Sequence, residues 1–292
     1  MDQLREAHNN VKVEGILHEN RLDIKTHADG RRYIAGDLLV QVSEDNIVAV
    51  NFFSFDKKKD GNPNKIFQSL NTVKDSYKSI AKHGIEEADR VSITGGRVES
   101  NEFYGQNGQL ISTFRVRSNF VNRVSRELEP TAEFQMEGYI QGMTEEILNN
   151  DEVTGRFVLN LIVPMYGGRI SLLNMFLENP AGINYVQENY EVGDTVKVAG
   201  IIRNRVQVVT KAEEMEFGGD IVETRERVYR ELIVERGSAS YDTDEAFDPA
   251  LIKQALVQRE VDLKALKDKA TQASVGKGGF GGKEKGKVDT PF

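Results

Sequence analysis

The chain repeats itself, and the repeat limits what it can build. Val13-Glu14-Gly15-Ile16 returns as Met136-Glu137-Gly138-Tyr139. Leu38-Leu39-Val40 returns as Leu161-Ile162-Val163, and Val50-Asn51-Phe52-Phe53 as Leu173-Asn174-Met175-Phe176. All three pairs stand 123 residues apart (13 to 136, 38 to 161, 50 to 173). The register then changes. Ile93-Thr94-Gly95 matches Val198-Ala199-Gly200 at 105 (93 to 198), and Arg123-Val124-x-Arg126-Glu127-Leu128 matches Arg227-Val228-x-Arg230-Glu231-Leu232 at 104 (123 to 227). One deletion of 18 residues (123 less 105) in a connection explains the shift, and surface connections tolerate such losses. Five matches in order indicate a tandem duplication.

The repeated unit reads as β. From Arg156 to Phe176, Leu159, Leu161 and Val163 alternate on one face of a first arm. Gly167-Gly168 makes a turn, and Leu173 and Met175 alternate on a second arm, with Asn174 and Phe176 opposite. Period-2 alternation broken by Gly-Gly is a hairpin signal. The first copy holds strands at 11–18, 23–42, 47–55, 90–104 and 110–126. One helix interrupts them at 65–82, on the stripe Ile66, Leu70, Val73, Tyr77, Ile80. The second copy keeps about two helical turns at 182–190. Short strands with one helix between the third and fourth describe a small barrel.

The expected organisation is therefore mainly β. A lead-in covers 1–10, barrels cover 11–130 and 131–236, and an amphipathic helix covers 246–272, opened by Asp248-Pro249. A Gly/Lys-rich tail covers 273–292 and is too polar to bury a core, so it should be disordered. The helix carries Ile252, Leu256, Leu263 and Leu266 on one stripe. It either docks on its own chain or joins two copies into a homo-oligomer.

The 292 residues include no cysteine, no apolar run of membrane-spanning length and no leader-like apolar segment at the start. The four histidines lack metal-ligand spacing. No nucleotide-binding, metalloprotease or serine-nucleophile motif occurs. These absences lead us to expect a cytoplasmic, non-enzymatic protein without metal or cofactor. The net charge of −8 does not exclude nucleic acid if cations gather on one face.

Aromatics interleaved with basic and amide residues do mark such a face. In the first copy these are Arg32, Tyr33, Asn51, Phe53 and Phe55, running into Lys57, Lys58 and Lys59, then Arg97, Tyr104, Arg115 and Arg117. In the second they are Arg156, Tyr166, Arg169, Asn174, Phe176, Arg203 and Arg205. A single strand exposes ring faces, on which an aromatic side chain stacks without reading the base, and phosphates that need a track of Lys and Arg. Strand aromatics are more often core, and Phe52, Phe114 and Phe157 are read that way. Phe53 and Phe176 fit either place. Arg115 and Arg117 suit a merely solvated face as well as a phosphate contact, and the lysine triplet is an ordinary loop tip that abuts the face.

With these residues in view, the two repeats resemble the single-stranded DNA-binding proteins built on OB-folds, in particular the tandem versions of bacteriophages and mobile elements. Asp289-Thr290-Pro291-Phe292 resembles the Asp-x-Pro-Phe tip by which bacterial members of that group hold replication and repair enzymes. The chain departs from the pattern in having Lys283, Lys285 and Lys287 before the tip, where the group has acids. The resemblance implies a protein that coats single-stranded DNA in replication, recombination and repair, with partners at the tip. Two other readings are an OB protein that makes protein contacts, such as a virion component, and an RNA-binding regulator.

Overall fold

The computed structural model describes residues 3–275 apart from 106, 126, 128, 148–152 and 214–220, with the backbone alone at 205–228 and 272–275. In chain order the strands are β1 (Asn9–Asn20), β2 (Asp23–Thr26), β3 (Arg32–Gln41), β4 (Ile47–Phe55), β5 (Arg90–Tyr104), β6 (Leu110–Arg117), β7 (Asn122–Arg123), β8 (Thr131–Ile147), β9 (Val153–Pro164), β10 (Ile170–Leu177), β11 (Thr195–Glu213) and β12 (Ile221–Gly237). Helices α1 (Lys65–Ser76) and α2 (Ile80–His83) connect β4 to β5, α3 (Pro180–Asn189) connects β10 to β11, and α4 (Pro249–Val275) follows β12. No helix among the described residues is long and apolar enough to cross a membrane.

The fold is mainly β with a C-terminal helix. In its first half the pairing runs from β1 to β3, β4, β6 and β5 and returns to β1, antiparallel at every step except β4–β6. The second half repeats the order as β8, β9, β10, β12, β11 and back to β8, again with one parallel step, β10–β12. Alternation along these strands sets the cores. Val48, Val50 and Phe52 of β4 are buried while Asn51, Phe53 and Phe55 face outward, and Leu173 and Met175 of β10 are buried while Asn174 and Phe176 face outward. Phe157 is core, as expected; Phe114 is only half-buried at the core's edge.

The registers test the repeat. Gly36 faces Phe52 and Leu159 faces Met175, each 123 residues on (36 to 159, 52 to 175). Val13 faces Ile93 and Met136 faces Val198, which fits the 105 offset of the fourth match. Leu17 pairs with Val40, whereas its counterpart Ile140 pairs with Leu161, a slip of two residues. An even slip keeps every side chain on its own face. The fifth match is overturned. Arg123 ends β7, beyond β6, while Arg227 to Leu232 lie within β12. The counterpart of Leu232 in the ladder is Val116, because each pairs with the matching residue of the preceding strand, Ile202 and Val98. The β11–β12 arms are longer than the β5–β6 arms, and this added length shifts the offset.

Strand β1 joins the halves. It pairs with β8 over residues 9–14, with β5 over 11–16 and with β3 over 16–20. One strand serves three neighbours because its ladders are staggered along it, and Gly15 stands where the β8 ladder gives way to the β3 ladder. A Cβ there would lie 2.2 Å from the Gln41 carbonyl oxygen, and at the repeated Gly138 it would meet Leu161 at 2.9 Å. The recurring glycine of the first match is therefore a close-approach position. In the β1–β8 ladder Val11 pairs with Phe134, its own counterpart 123 residues later (11 to 134). The flanking pairs Asn9–Met136 and Val13–Ala132 are then images of each other. The halves thus meet about a local two-fold axis. Asn46 adds a second tie. Its Nδ2 donates to the Ile202 carbonyl (3.0 Å), and its Oδ1 accepts from the Asn204 amide (2.9 Å).

Three other sequence readings change. The helix expected over 65–82 breaks at Tyr77, because Asp89 takes the Lys78 amide on its carboxylate (2.7 Å) while its own amide donates to the Lys78 carbonyl (2.9 Å). The strand expected to reach 126 stops at Arg117, where the Ser118 amide turns to the Asn51 carbonyl. The polar lead-in is anchored: Leu4 and Ala7 are buried, and Arg5 pairs with Glu137 (2.8 Å) and lies 4.1 Å over the Phe247 ring. Helix α4 starts at Pro249, with Asp248 accepting from the Ala250 amide (2.7 Å), and docks on its own chain through Ile252, Ala255 and Leu263. Leu266, placed on the same stripe by sequence, is 44% exposed.

Gly15→Ala should lower unfolding stability by about 3 kcal/mol, since a buried backbone contact must open. Gly142→Ala, whose Cβ would meet only the Asn160 amide at 3.5 Å, should stay within about 0.5 kcal/mol. Denaturant midpoints of the two variants check the claim.

Candidate nucleic-acid interface

The outward face of β3 and β4 carries three aromatic rings. Tyr33 and Phe55 are directly paired across the strands, with Phe53 beside them. Ring centroids are 5.4 Å apart for Tyr33–Phe53, 6.1 Å for Tyr33–Phe55 and 5.1 Å for Phe53–Phe55. All three are half-buried, so they pack on one another and still present surface. The Arg31 guanidinium lies 4.3 Å over Phe55 and Arg117 lies 6.0 Å from Phe53. Arg32 and the loop residues Lys57, Lys58 and Lys59 are exposed and form no ion pair with a described residue.

Beside this cluster three arginines meet one acid. Glu99, 7% exposed, is 2.7 Å from Arg115, 3.3 Å from Arg117 and 3.4 Å from Arg97. Burial pushes the Glu99 carboxyl up, but Arg115 and then Arg117 and Arg97 outweigh it and hold the group below its ordinary value. One carboxylate against three guanidiniums leaves the patch positive, which suits phosphate. Tyr104 lies apart, at the end of the β5–β6 hairpin, with the Lys267 ammonium of α4 6.0 Å from its ring.

The second half keeps the backbone and changes the chemistry. The 123 offset places Arg156 where the first half has Tyr33, and Glu178 where it has Phe55 (33 to 156, 55 to 178). Only Phe176 is retained, and Arg156 covers it at 4.3 Å. The Arg156 Nη1 is 3.0 Å from Glu231, and its Nε is 3.5 Å from Glu146 and 3.4 Å from Glu178. Arg203 reaches Glu178 at 2.6 Å and Glu231 at 2.5 Å. The cross-strand pair Glu99–Arg115 recurs in reverse, as Arg203–Glu231. Two arginines among three glutamates make this cluster net negative. Burial pushes Glu231 up, yet Arg203 and Arg156 bring it below its ordinary value, and the hydrogen bond to Glu178 raises Arg203.

Of the remaining expected positions, Tyr166 is 78% exposed on the turn before β10, and the Arg169 Nε donates to its carbonyl at 3.5 Å. Asn51 and Asn174 face outward on β4 and β10. The Arg205 side chain and Asp289 to Phe292 lie outside the described residues. Sequence reasoning missed Glu99, Glu178 and Glu231. The signal was available only in part, since a lone glutamate on a strand reads as solvated until its cross-strand arginine is known. Among the described residues no group of three or more His, Asp or Glu could hold a metal ion.

Both clusters tie stability to pH. Folding lowers the pKa of Glu99 and of Glu231, so the native state binds these protons less tightly than the unfolded chain. Their contribution is present above the unfolded glutamate value of about 4.3 and is lost as pH falls through the lowered folded values. Denaturant unfolding between pH 6 and pH 3 should show a steep loss below about pH 4.3. Glu231→Gln should make that loss shallower, and an unchanged slope in the variant would contradict the assignment.

Comparison with known proteins agrees with this architecture. A deletion variant of the single-stranded DNA binding protein from Thermus aquaticus superposes with a TM-score of 0.50 at 14% identity, over 84% of this chain and 98% of that one. The wild-type Thermus aquaticus protein gives 0.49 at 14% identity, over 82% and 95%. The chain therefore shares the fold of the former. None of the curated proteins matches it. The family model described as YorF matches residues 7–290, and the chain belongs to the YorF family.

Proposed function

We propose that the protein binds single-stranded DNA, with residues 11–130 and 131–236 as tandem OB-fold barrels, and that the first barrel carries the main stacking site. The observation that carries this reading is the outward, half-buried Tyr33–Phe53–Phe55 cluster, rimmed by Arg32, Lys57, Lys58, Lys59 and the positive Glu99 patch. Three clustered rings that keep part of their surface open suit unpaired bases, and cations around them suit the phosphates between those bases. The fold shared with a protein named for single-stranded DNA binding supports it. The second barrel's Arg156 and Arg203 are neutralised within the protein, so it contributes less.

Such a protein would act in the cytoplasm without catalysis, coating strands exposed during replication, recombination or repair, and it suits a bacteriophage or mobile element. Asp289 to Phe292 would take replication or recombination proteins as partners. A homo-oligomer through α4 would use the face that its docking leaves open, where Val257, Val261 and Leu266 are exposed.

A fluorescence titration with oligo-dT, oligo-rU and duplex DNA at two salt concentrations tests the reading. Oligo-dT should bind best and should weaken as salt rises. Phe53→Ala should cost about 1–3 kcal/mol of affinity with little change in melting temperature, and Phe176→Ala should cost less because Arg156 already occupies that ring. Failure of oligo-dT to bind at low salt rejects the function, and equal affinity for oligo-rU rejects its DNA part.

A further inference from the structure

Two grooves adjoin where the halves meet. The smaller, about 180 Å³, lies between Asp37, Asn51, Asn101 and Arg115 of the first half and Asn204 and Arg230 of the second. The larger, about 510 Å³, continues between Thr113 and the outward residues Asn174 and Phe176 of β10, bounded by the Glu102–Arg259 ion pair to α4. Phe114 and Arg230 line both. The smaller groove therefore begins at the face that bears the aromatic cluster, and the larger ends on the second half.

Its lining is unusually rich in unused hydrogen-bonding capacity. The Asn101 side chain makes no hydrogen bond to a described residue. Asn51 spends its Nδ2 on Asp37 (2.8 Å), and its Oδ1 accepts no bond from a described residue. Asn204 is 6% exposed, its Nδ2 donates to the Ile47 carbonyl (3.4 Å), and its buried Oδ1 has no partner. The groove thus offers the free carboxamide oxygens of Asn51 and Asn101 to a ligand that supplies N–H donors. Arg230 is exposed and forms no ion pair with a described residue, and the half-buried Phe114 offers a ring.

We propose that this junction is a base-reading site on the path of the strand. Resting on the single-strand reading above, it takes one nucleotide whose base has an exocyclic amino group. The base packs against Phe114, its two amino hydrogens go to the carboxamide oxygens of Asn51 and Asn101, and Arg230 holds the adjacent phosphate. Cytosine and adenine present an amino donor on that edge, whereas thymine presents a carbonyl acceptor to Asn51, whose Oδ1 cannot donate and whose Nδ2 is committed to Asp37. The strand then passes from the aromatic cluster to the second half through the junction rather than over the acidic Arg156–Glu231 cluster.

The test is a titration of the full chain with oligo-dC and oligo-dT of equal length. Asn101→Ala and Arg230→Gln are suitable variants because neither side chain supports the fold. Asn101→Ala should lower the dC-to-dT affinity ratio by roughly fivefold, chiefly by weakening oligo-dC. Arg230→Gln should weaken both oligonucleotides alike and reduce the salt slope by about one. An unchanged ratio in Asn101→Ala, or an unchanged salt slope in Arg230→Gln, overturns the junction site. If Phe53→Ala still weakens both oligonucleotides in that case, the single-strand reading stands without it.

Discussion

The ladder between β1 and β8 is the contact on which the rest depends. It pairs Val11 with its own repeat counterpart Phe134 and sets the two halves about a local axis. Because β1 also closes the first half's pairing through β3 and β5, the strand cannot shift to one neighbour without disturbing the other two. A strand held on three sides resists the register slips that an edge strand permits. The Asn46–Asn204 bonds and the groove lined by Asn51, Asn204 and Arg230 follow from that alignment.

On this shared strand order the two halves differ most at the site in their charges. The same ladder position holds Glu99 opposite Arg115 in one half and Arg203 opposite Glu231 in the other. Each pair bridges the two strands of its own half. The neighbours decide the outcome: the first half surrounds one glutamate with three arginines and keeps a cluster of three half-buried rings, of which Arg31 covers Phe55, while the second surrounds two arginines with three glutamates and covers its one retained ring, Phe176. A duplicated fold thereby offers one face attractive to polyanions and one that is already neutralised.

The fold was legible where local pattern and packing agree. Alternation along 156–176 and 47–55 identified the buried and outward residues of β9, β10 and β4, and the 123 offset reappears in their registers. It was less legible where a distant group overrides the local preference. Asp89 ends a helix stripe that runs on in the sequence, and the N-terminal segment is fixed by Glu137 and Phe247. The match between 123–128 and 227–232 was a coincidence of short words, since pairing partners and not spelling define equivalence in a sheet. Of the site, the aromatic residues and most cations were visible as strand positions.

The order of strands and helices, the duplicated core, the glycines at 15 and 138 and the outward aromatics were fixed by the chain itself, because alternation, turn chemistry and side-chain volume act over neighbouring residues. Which arginines remain free to meet a phosphate, which are held by glutamates as many as 75 residues away, and that Asn51, Phe114, Asn204 and Arg230 share one groove were settled only by folding. Charge pairing and groove shape depend on distances between strands remote in sequence, and no local pattern encodes those distances.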